Sequence, residues 1–468
     1  MRAGVLRLGL DRWRAWQRQS VHRQIFGVTV TVGVLTVAAK LIAILKEAIV
    51  AHQFGTGDAL EAFLMAMVLP QFAINLVGGS LNAALIPTYI HVQERASAEA
   101  AHRLFSSVTA LSLAILIALS LALGTAAHLI LPVIASGFPP WKLALAESAF
   151  RWLLPTLVLS GLTTTWSAVL NAENRFALVA GAPVGTSLLT LLLVGLKGAE
   201  WGMVALVAGT VGGALVEAAV VGWGLARSGV SLVPRWRGLT GDVKEVVAQY
   251  LPMLAGAFLM GGTTVVSQSM AAMLDPGSVS VLAYGGKLTT LLLGVMAVAV
   301  STAVLSPFSR LVAVGDWIAL RRALRTYSRL LLAVTVPMTL LLIALSKPLV
   351  VLLFQRGAFT AADSRIVALT QAMFLLQVPL YIVGMLLVRL ISALRANRWL
   401  MWGSGLNLAV NVVLTYALMQ TLGVAGIALA TSLMYVGSVA FLWFGASRLL
   451  RAQTAAAVAR AAVVPGDI

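Results

Sequence analysis

Six charged side chains stand inside otherwise apolar stretches of this sequence: Lys40, Lys46, Glu47, Glu61, Glu217 and Lys287, with Arg151 and Arg389 nearer the ends of theirs. If those stretches cross a membrane, a Lys or Asp at mid-depth costs about 2.5–3.5 kcal/mol on insertion scales, so each must face a wet cavity or a partner. The chemistry on offer is electrostatic recognition. A lone ammonium is a compact point charge that suits phosphate, so Lys40, Lys46 and Lys287 favour an anionic ligand. Export of drugs coupled to protons or sodium would instead need buried carboxylates, and Glu217 is the acid set deepest in a stretch.

Lys40 and Lys46 differ by roughly 240° around a helix and about 9 Å along it, so one of them points straight at a cavity unless the helix bends. Lys46 has Glu47 beside it and Glu61 across the Gly55-Thr-Gly57 turn. A Lys46–Glu47 or Lys46–Glu61 ion pair is the plain alternative to ligand contact there. Lys287, inside Tyr284-Gly-Gly-Lys287-Leu, has no acid near it in sequence and reads as a substrate or coupling residue. Glu217 is either a coupling carboxylate or a helix-pairing one. Asn407 and Asn411, one turn apart, offer amide oxygens to a coupling cation, although such residues more often hydrogen-bond a neighbouring helix.

Reaction chemistry is not assembled anywhere. The absence of cysteine excludes disulfides and thiol catalysis. His22, His52, His91, His102 and His128 lack metal-ligand spacing. No catalytic residue, metal site or cofactor is expected, which leaves Na+ coupling, H+ coupling or the membrane potential as the energy source. There is no G-x-x-x-x-G-K-[ST] loop for a nucleotide. A membrane glycosyltransferase would need carboxylates on a folded external segment, and the longest such joint, near 354–363, is short.

The elements that must position these residues are helical. Of 468 residues, 60% are apolar and 10% charged, with a mean hydropathy of +0.95. Average chains carry about 25% charged residues. Apolar stretches of roughly 20 residues cut by short polar joints predict an all-α polytopic membrane protein rather than the alternating strands of a barrel. Twelve spans are predicted, at about 26–54, 59–90, 104–136, 146–170, 177–197, 201–226, 245–273, 277–309, 326–354, 363–394, 400–421 and 423–447. With the N-terminus inside, cytoplasmic joints hold 24 of the 33 Lys and Arg, and the opposite joints hold five, namely Lys142, Lys197, Lys347, Arg356 and Arg365. Basic joints mark the cytoplasmic side, so both termini are placed there. Most of the formal charge of +17 is then topology, and no nucleic-acid partner is implied.

Residues 1–24, with Leu6, Leu8, Leu10, Trp13 and Trp16 among basic residues, suit an amphipathic arm on the anionic inner leaflet. The predicted organisation continues with a first lobe of six spans over 25–226 and a basic, turn-prone linker over 227–244. A second lobe of six spans over 245–450 and a cytoplasmic tail over 451–468 complete it. The two lobes echo each other. Asn82-Ala-Ala-Leu-Ile-Pro87 resembles Ser301-Thr-Ala-Val-Leu-Ser-Pro307 at an offset of 220, and Asn174-Arg175-Phe176 matches Asn397-Arg398-Trp399 at 223. Copies of six spans share one orientation and relate by an axis along the membrane normal, with substrate held between them.

Longer motifs carry a family resemblance. Ala39-Lys-Leu-Ile-Ala-Ile-Leu-Lys46-Glu-Ala-Ile-Val-Ala-His-Gln-Phe-Gly-Thr-Gly57, Glu61-Ala-Phe, Leu69-Pro70, Asn171-Ala-Glu-Asn-Arg-Phe176, Tyr284-Gly-Gly-Lys-Leu288 and Phe354-Gln-Arg-Gly-Ala-Phe-Thr-Ala361 occur in this order. Over about 26–450 the chain resembles the MurJ/MviN family of the multidrug/oligosaccharidyl-lipid/polysaccharide exporter superfamily. That resemblance implies two six-helix lobes in a V around a cationic cavity, in the bacterial inner membrane. It implies alternating-access flipping of an undecaprenyl-diphosphate-linked saccharide to the outer leaflet, either lipid II for peptidoglycan or an exopolysaccharide or O-antigen unit. A cation-coupled multidrug exporter is the alternative on the same fold. Further partners would be membrane lipids and the cell-envelope polysaccharide synthesis machinery. The family's basic cavity residues carry over as Lys40, Lys46 and Lys287, each a lysine for an arginine, and its acidic positions as Glu47 and Glu61. Where the family has paired basic residues and then an acid, this chain has Ile74-Asn75 and Gly78-Gly79, and its predicted spans number two fewer than in lipid II flippases.

Overall fold

The structure is a computed structural model that describes residues 21–463 except 174 and 395. Most of the expected arm at 1–24, the last residues of the tail, and Asn174 of the repeat motif therefore lie outside the described residues. All regular structure described is helical. The helices are α1 (Val21–Phe54), α2 (Asp58–Arg95), α3 (Ala98–Ile134), α4 (Pro140–Ala172), α5 (Phe176–Trp201) and α6 (Met203–Ala226). They continue with α7 (Gly241–Ala271), α8 (Ser278–Val314), α9 (Trp317–Ala344, prolonged by Ser346–Phe354) and α10 (Ala361–Ala393). The last helical stretch, Asn397–Val463, breaks at Gly423 into α11 (397–422) and α12 (424–463).

Among the described residues, ten helices are long and apolar enough to cross a membrane, with 397–455 taken as one. Opening that stretch at Gly423 and adding the 34-residue α1 yields the twelve spans predicted. Several helices run into what the apolar pattern reads as joints. α4 starts at Pro140 rather than near 146, because proline's fixed φ suits a first helical turn.

The chain forms two compact units. The first takes described residues up to Gln53 with Ala73–Ala126 and Ala149–Leu251; the second takes Phe54–Phe72, Ala127–Ser148 and Pro252 onward. This differs from lobes bounded at 226 and 245: the beginning of α2 and the α3–α4 hairpin group with the C-terminal helices. The polar bonds of Glu61, Lys142 and Asp363 described below account for it.

Within the first unit, α5 and α6 cross closely. A Cβ on Gly209 would stand 2.7 Å from Cα of Thr190, and one on Gly213 2.5 Å from Cα of Thr186. Small residues spaced this way let membrane helices approach backbone to backbone. In α2, Asn75–Gly79 form one π turn. A π turn shifts the hydrogen-bond ladder, and the Val77 carbonyl accepts from the Tyr250 hydroxyl of α7 at 3.3 Å. Ala73 and Val77 of α2 pack with Leu116 of α3 and Leu157 of α4. The core of the second unit gathers Val304 and Phe308 of α8, Leu320 and Leu324 of α9, Ile382–Ile391 of α10 and Leu442 of α12.

The repeat is visible in the backbone. Gly202, between α5 and α6, has φ 54° and ψ −131°; Gly423, between α11 and α12 and 221 residues later, has φ 56° and ψ −135°. This region of conformational space is essentially reserved for glycine. Gly202→Ala and Gly423→Ala should each lower unfolding stability by about 1–3 kcal/mol, read as an earlier thermal melt of the purified protein.

Candidate functional site

Lys287 lies on α8, half-buried, and the motif around it explains its placement. One turn before it, the buried Tyr284 ring packs on Phe354 with centroids 5.1 Å apart and on Phe359 at 5.3 Å; those two rings meet each other at 5.9 Å. Phe354 and Phe359 belong to the Phe-Gln-Arg-Gly-Ala-Phe-Thr motif between α9 and α10, so two separately legible motifs are one packing unit. Gly285 sits against α10, where a Cβ would come within 2.7 Å of Thr370 Cγ2. The loop is held by a capping box: Thr360 Oγ1 accepts from Asp363 N, and Asp363 accepts from Thr360 N. Aromatic pairing and close glycine contact together hold this turn of α8 against α10 and the α9–α10 joint.

Lys40, Lys46 and Glu47 belong to the first unit, on α1. Lys46 Nζ pairs with Glu47 Oε1 at 2.8 Å, with the side chains 27% and 18% exposed. Of the two pairings considered for Lys46, the structure makes the one with its neighbour. Lys40 is exposed.

Glu61, expected among the substrate contacts, is 1% exposed and fully engaged inside the second unit. Its Oε2 accepts from Lys142 Nζ, itself 2% exposed, which also donates to Asp58 Oδ1 at 2.6 Å and lies 4.3 Å from the Phe138 ring centroid. Its Oε1 accepts from the backbone N–H of Val279 at 2.7 Å and of Ser280 at 3.4 Å, in the first turn of α8. A carboxylate at a helix N-terminus satisfies orphan donors and complements the helix dipole. The engagement leaves Glu61 no free face for a ligand in this structure. It gives Lys142, Asp58 and the start of α8 a common anchor. The positive-inside count treated Lys142 only as a joint charge, although the Pro139-Pro140 helix start just before it was there to be read.

The remaining candidates lie in corresponding helix hairpins of the two repeats. Thr186 Oγ1 donates to Glu217 Oε2 at 2.9 Å between α5 and α6. At an offset of 221 for both partners, Asn407 Nδ2 donates to Ser438 Oγ at 3.1 Å between α11 and α12. Both ties link neighbouring helices in the same place in the two hairpins, and the Asn407 amide oxygen has no partner among the described residues. Asn411 is fully buried, and among the described residues neither its amide oxygen nor its nitrogen has a partner.

Twelve apolar helices arranged as two repeats, with lysines on α1 and α8, define a multi-spanning membrane transporter. Solved structures agree on the fold. The chain superimposes on a structure of "Lipid II flippase MurJ, inward closed conformation" with a TM-score of 0.77 at 22% identity, covering 89% of this chain and 87% of that one. It superimposes on an inward-facing multidrug resistance MATE family transporter of the MOP superfamily with a TM-score of 0.77 at 13% identity, covering 90% and 98%. Similar sequences include probable lipid II flippases MurJ of Synechocystis sp. (27% identical, over 91% of this chain and 82% of the relative) and Rhizobium meliloti (28%, over 86% and 76%). The profile of the family "Lipid II flippase MurJ" matches residues 50–464. The chain belongs to the MurJ family of lipid II flippases.

Breaking a buried pair by removing one member costs about 3–5 kcal/mol, because the other charge is left uncompensated. Lys142→Met should therefore destabilise the protein by about that amount, and adding Glu61→Gln should recover part of the loss. A double-mutant cycle on thermal unfolding measures the coupling.

Proposed function

We propose that this protein flips lipid II, an undecaprenyl-diphosphate-linked saccharide, from the cytoplasmic to the outer leaflet of the bacterial inner membrane by alternating access. The observation that carries the reading is the seating of Lys287. A cationic group within a span is costly, yet here a turn of α8 is built around it from Tyr284, Gly285 and two phenylalanines of another joint. Its charge, with those of Lys40 and Lys46, suits the diphosphate. Ammonium groups grip phosphate without the bidentate geometry of guanidinium, so charge rather than planar fit would hold the head group.

In this reading both termini face the cytoplasm, where the Lys- and Arg-rich joints belong. An inward-negative potential then favours outward movement of an anion by about 2.3 kcal/mol per charge per 100 mV. The membrane potential is a sufficient driving force, and no cofactor is required. Cation coupling, if added to it, would run through Asn411, whose amide is unpaired at both oxygen and nitrogen among the described residues, with the amide oxygen of Asn407, also unpaired there, one turn away. Membrane lipids, and the synthesis machinery that delivers the substrate on the cytoplasmic side, are the partners.

In proteoliposomes carrying lipid II, Lys287→Ala should slow flipping about 10- to 100-fold, the equivalent of one charge-assisted hydrogen bond, while Lys287→Arg retains it. Flipping in Lys287→Ala at the parental rate would remove Lys287 from the mechanism. The same vesicles given a potassium diffusion potential, with and without sodium, test the energy source. A rate that follows the potential, is indifferent to sodium and survives Asn411→Leu is expected. Rescue of cells depleted of their own lipid II flippase checks the substrate.

A further inference from the structure

The 221-residue offset that pairs Gly202 with Gly423 also pairs Lys142 with Asp363, each the third residue of its helix, α4 from Pro140 and α10 from Ala361. Both reach the turn between α1 and α2. Lys142 binds Asp58 and Glu61 at the start of α2. Asp363 accepts through Oδ1 from Thr56 Oγ1 at 2.7 Å, while its Oδ2 takes the Thr360 N–H at 2.7 Å.

The joints interlock in the same sense. A Cβ on Gly55, after α1, would overlap the carbonyl oxygen of Ala358 in the α9–α10 joint. One on Gly137, in the α3–α4 joint, would overlap the carbonyl oxygen of Ala272 after α7 and come within 2.7 Å of Met273 Cα. Thus the third joint of each six-helix repeat lies on the end of the first helix of the other. The arrangement is reciprocal, and every residue of it belongs to the second unit.

The bonds in this cluster differ in what parting them would cost. Lys142, Asp58 and Glu61 all come from the first repeat. The bonds running from repeat to repeat are neutral donors on carboxylates: the Thr56 hydroxyl on Asp363, and the Val279 and Ser280 amides on Glu61. Water can replace such partners at small net cost. Separating a buried ion pair would strand two charges, and nothing here requires it.

We propose that Lys142 and Asp363 are positioning residues of a clasp that closes the outer face and lets go once per transport cycle. Asp363 releases Thr56, and Glu61 releases the start of α8, while Lys142 keeps the Glu61 carboxylate paired and aimed for reclosure. This rests on the flippase reading and deepens it by naming the residues that shut the path on the outer side.

The chain has no cysteine, so Ser280→Cys supplies a single thiol, buried when the clasp is closed (0% exposed). In intact cells, its labelling by a membrane-impermeant maleimide should accelerate at least about fivefold when Thr56→Val, Asp363→Asn or Lys142→Met is added, and return towards the parental rate with Lys142→Arg. A thiol at Ser432→Cys, buried elsewhere in the second unit, should not respond. Unchanged labelling at Ser280→Cys in all three variants overturns the clasp, whatever the protein transports. As the second arm, Thr56→Cys with Asp363→Cys, joined by a short reducible bis-thiosulfonate, should flip lipid II at least about tenfold more slowly and recover on reduction. Joined protein that flips at the unjoined rate overturns the clasp and leaves the flippase reading standing. No flipping by the parental protein in the same vesicles refutes the flippase reading, and the labelling arm still decides the clasp.

Discussion

Burying the Lys142 ammonium and the Glu61 carboxylate takes two charges out of water, at several kcal/mol per ion before any attraction is counted. The chain offsets this by saturating both groups. Lys142 meets two carboxylates and an aromatic face, and Glu61 meets the ammonium on one oxygen and the first amides of α8 on the other. A pair so completely engaged cannot move piecemeal, so the start of α2 and the start of α4 are tied together by charge, and the start of α8 joins them through neutral amide donors alone. That constraint explains why Phe54–Phe72 and Ala127–Ser148 group with the C-terminal helices. It also caps the start of α8, about two and a half helical turns before Lys287.

From that fixed point, the placement of the candidate residues is a matter of close packing. Apolar burial alone does not set the rotation of a membrane helix, because lipid is as apolar as the core. Rotation is restrained by specific close contacts. On α8 these are the Tyr284–Phe354–Phe359 cluster and the Gly285–Thr370 approach. Between α5 and α6 they are Gly209 and Gly213 against Thr190 and Thr186, which carry Thr186 to Glu217. Glycines and aromatics are therefore as much a part of the site as the lysines.

The twelve spans, the repeat and the short list of charged residues were legible in sequence because hydropathy, offset and charge are local properties. The Lys46–Glu47 pair was legible for the same reason. The destination of Glu61 was not: its partner is 81 residues away, in a stretch that hydropathy reads as a joint. Lys142 looked like a topological charge because a buried lysine and an exposed one are identical letters until the helix start at Pro140 is placed. Glu217 stayed ambiguous, and only the structure places its bond to Thr186 where the other hairpin ties Asn407 to Ser438. The π turn at Asn75–Gly79 had no sequence periodicity to announce it.

The repeats share a backbone but not their charges, and the difference bears on what they carry. The positions one repeat later than Lys40 and Lys46 fall at Met260-Gly261 and Val266-Ser267, and the position one repeat before Lys287 falls at Ala66-Met67. None of these is charged. Symmetric cationic rings would suit a symmetric ligand or a simple ion. Cations on α1 and α8, with apolar or small residues at the related positions, suit a ligand with one anionic region and a long apolar remainder. A diphosphate joined to a prenyl chain, the substrate proposed above, has that form. Under the proposed function, the duplicated scaffold would serve alternating access and the unduplicated lysines the selection of a substrate with two unlike ends.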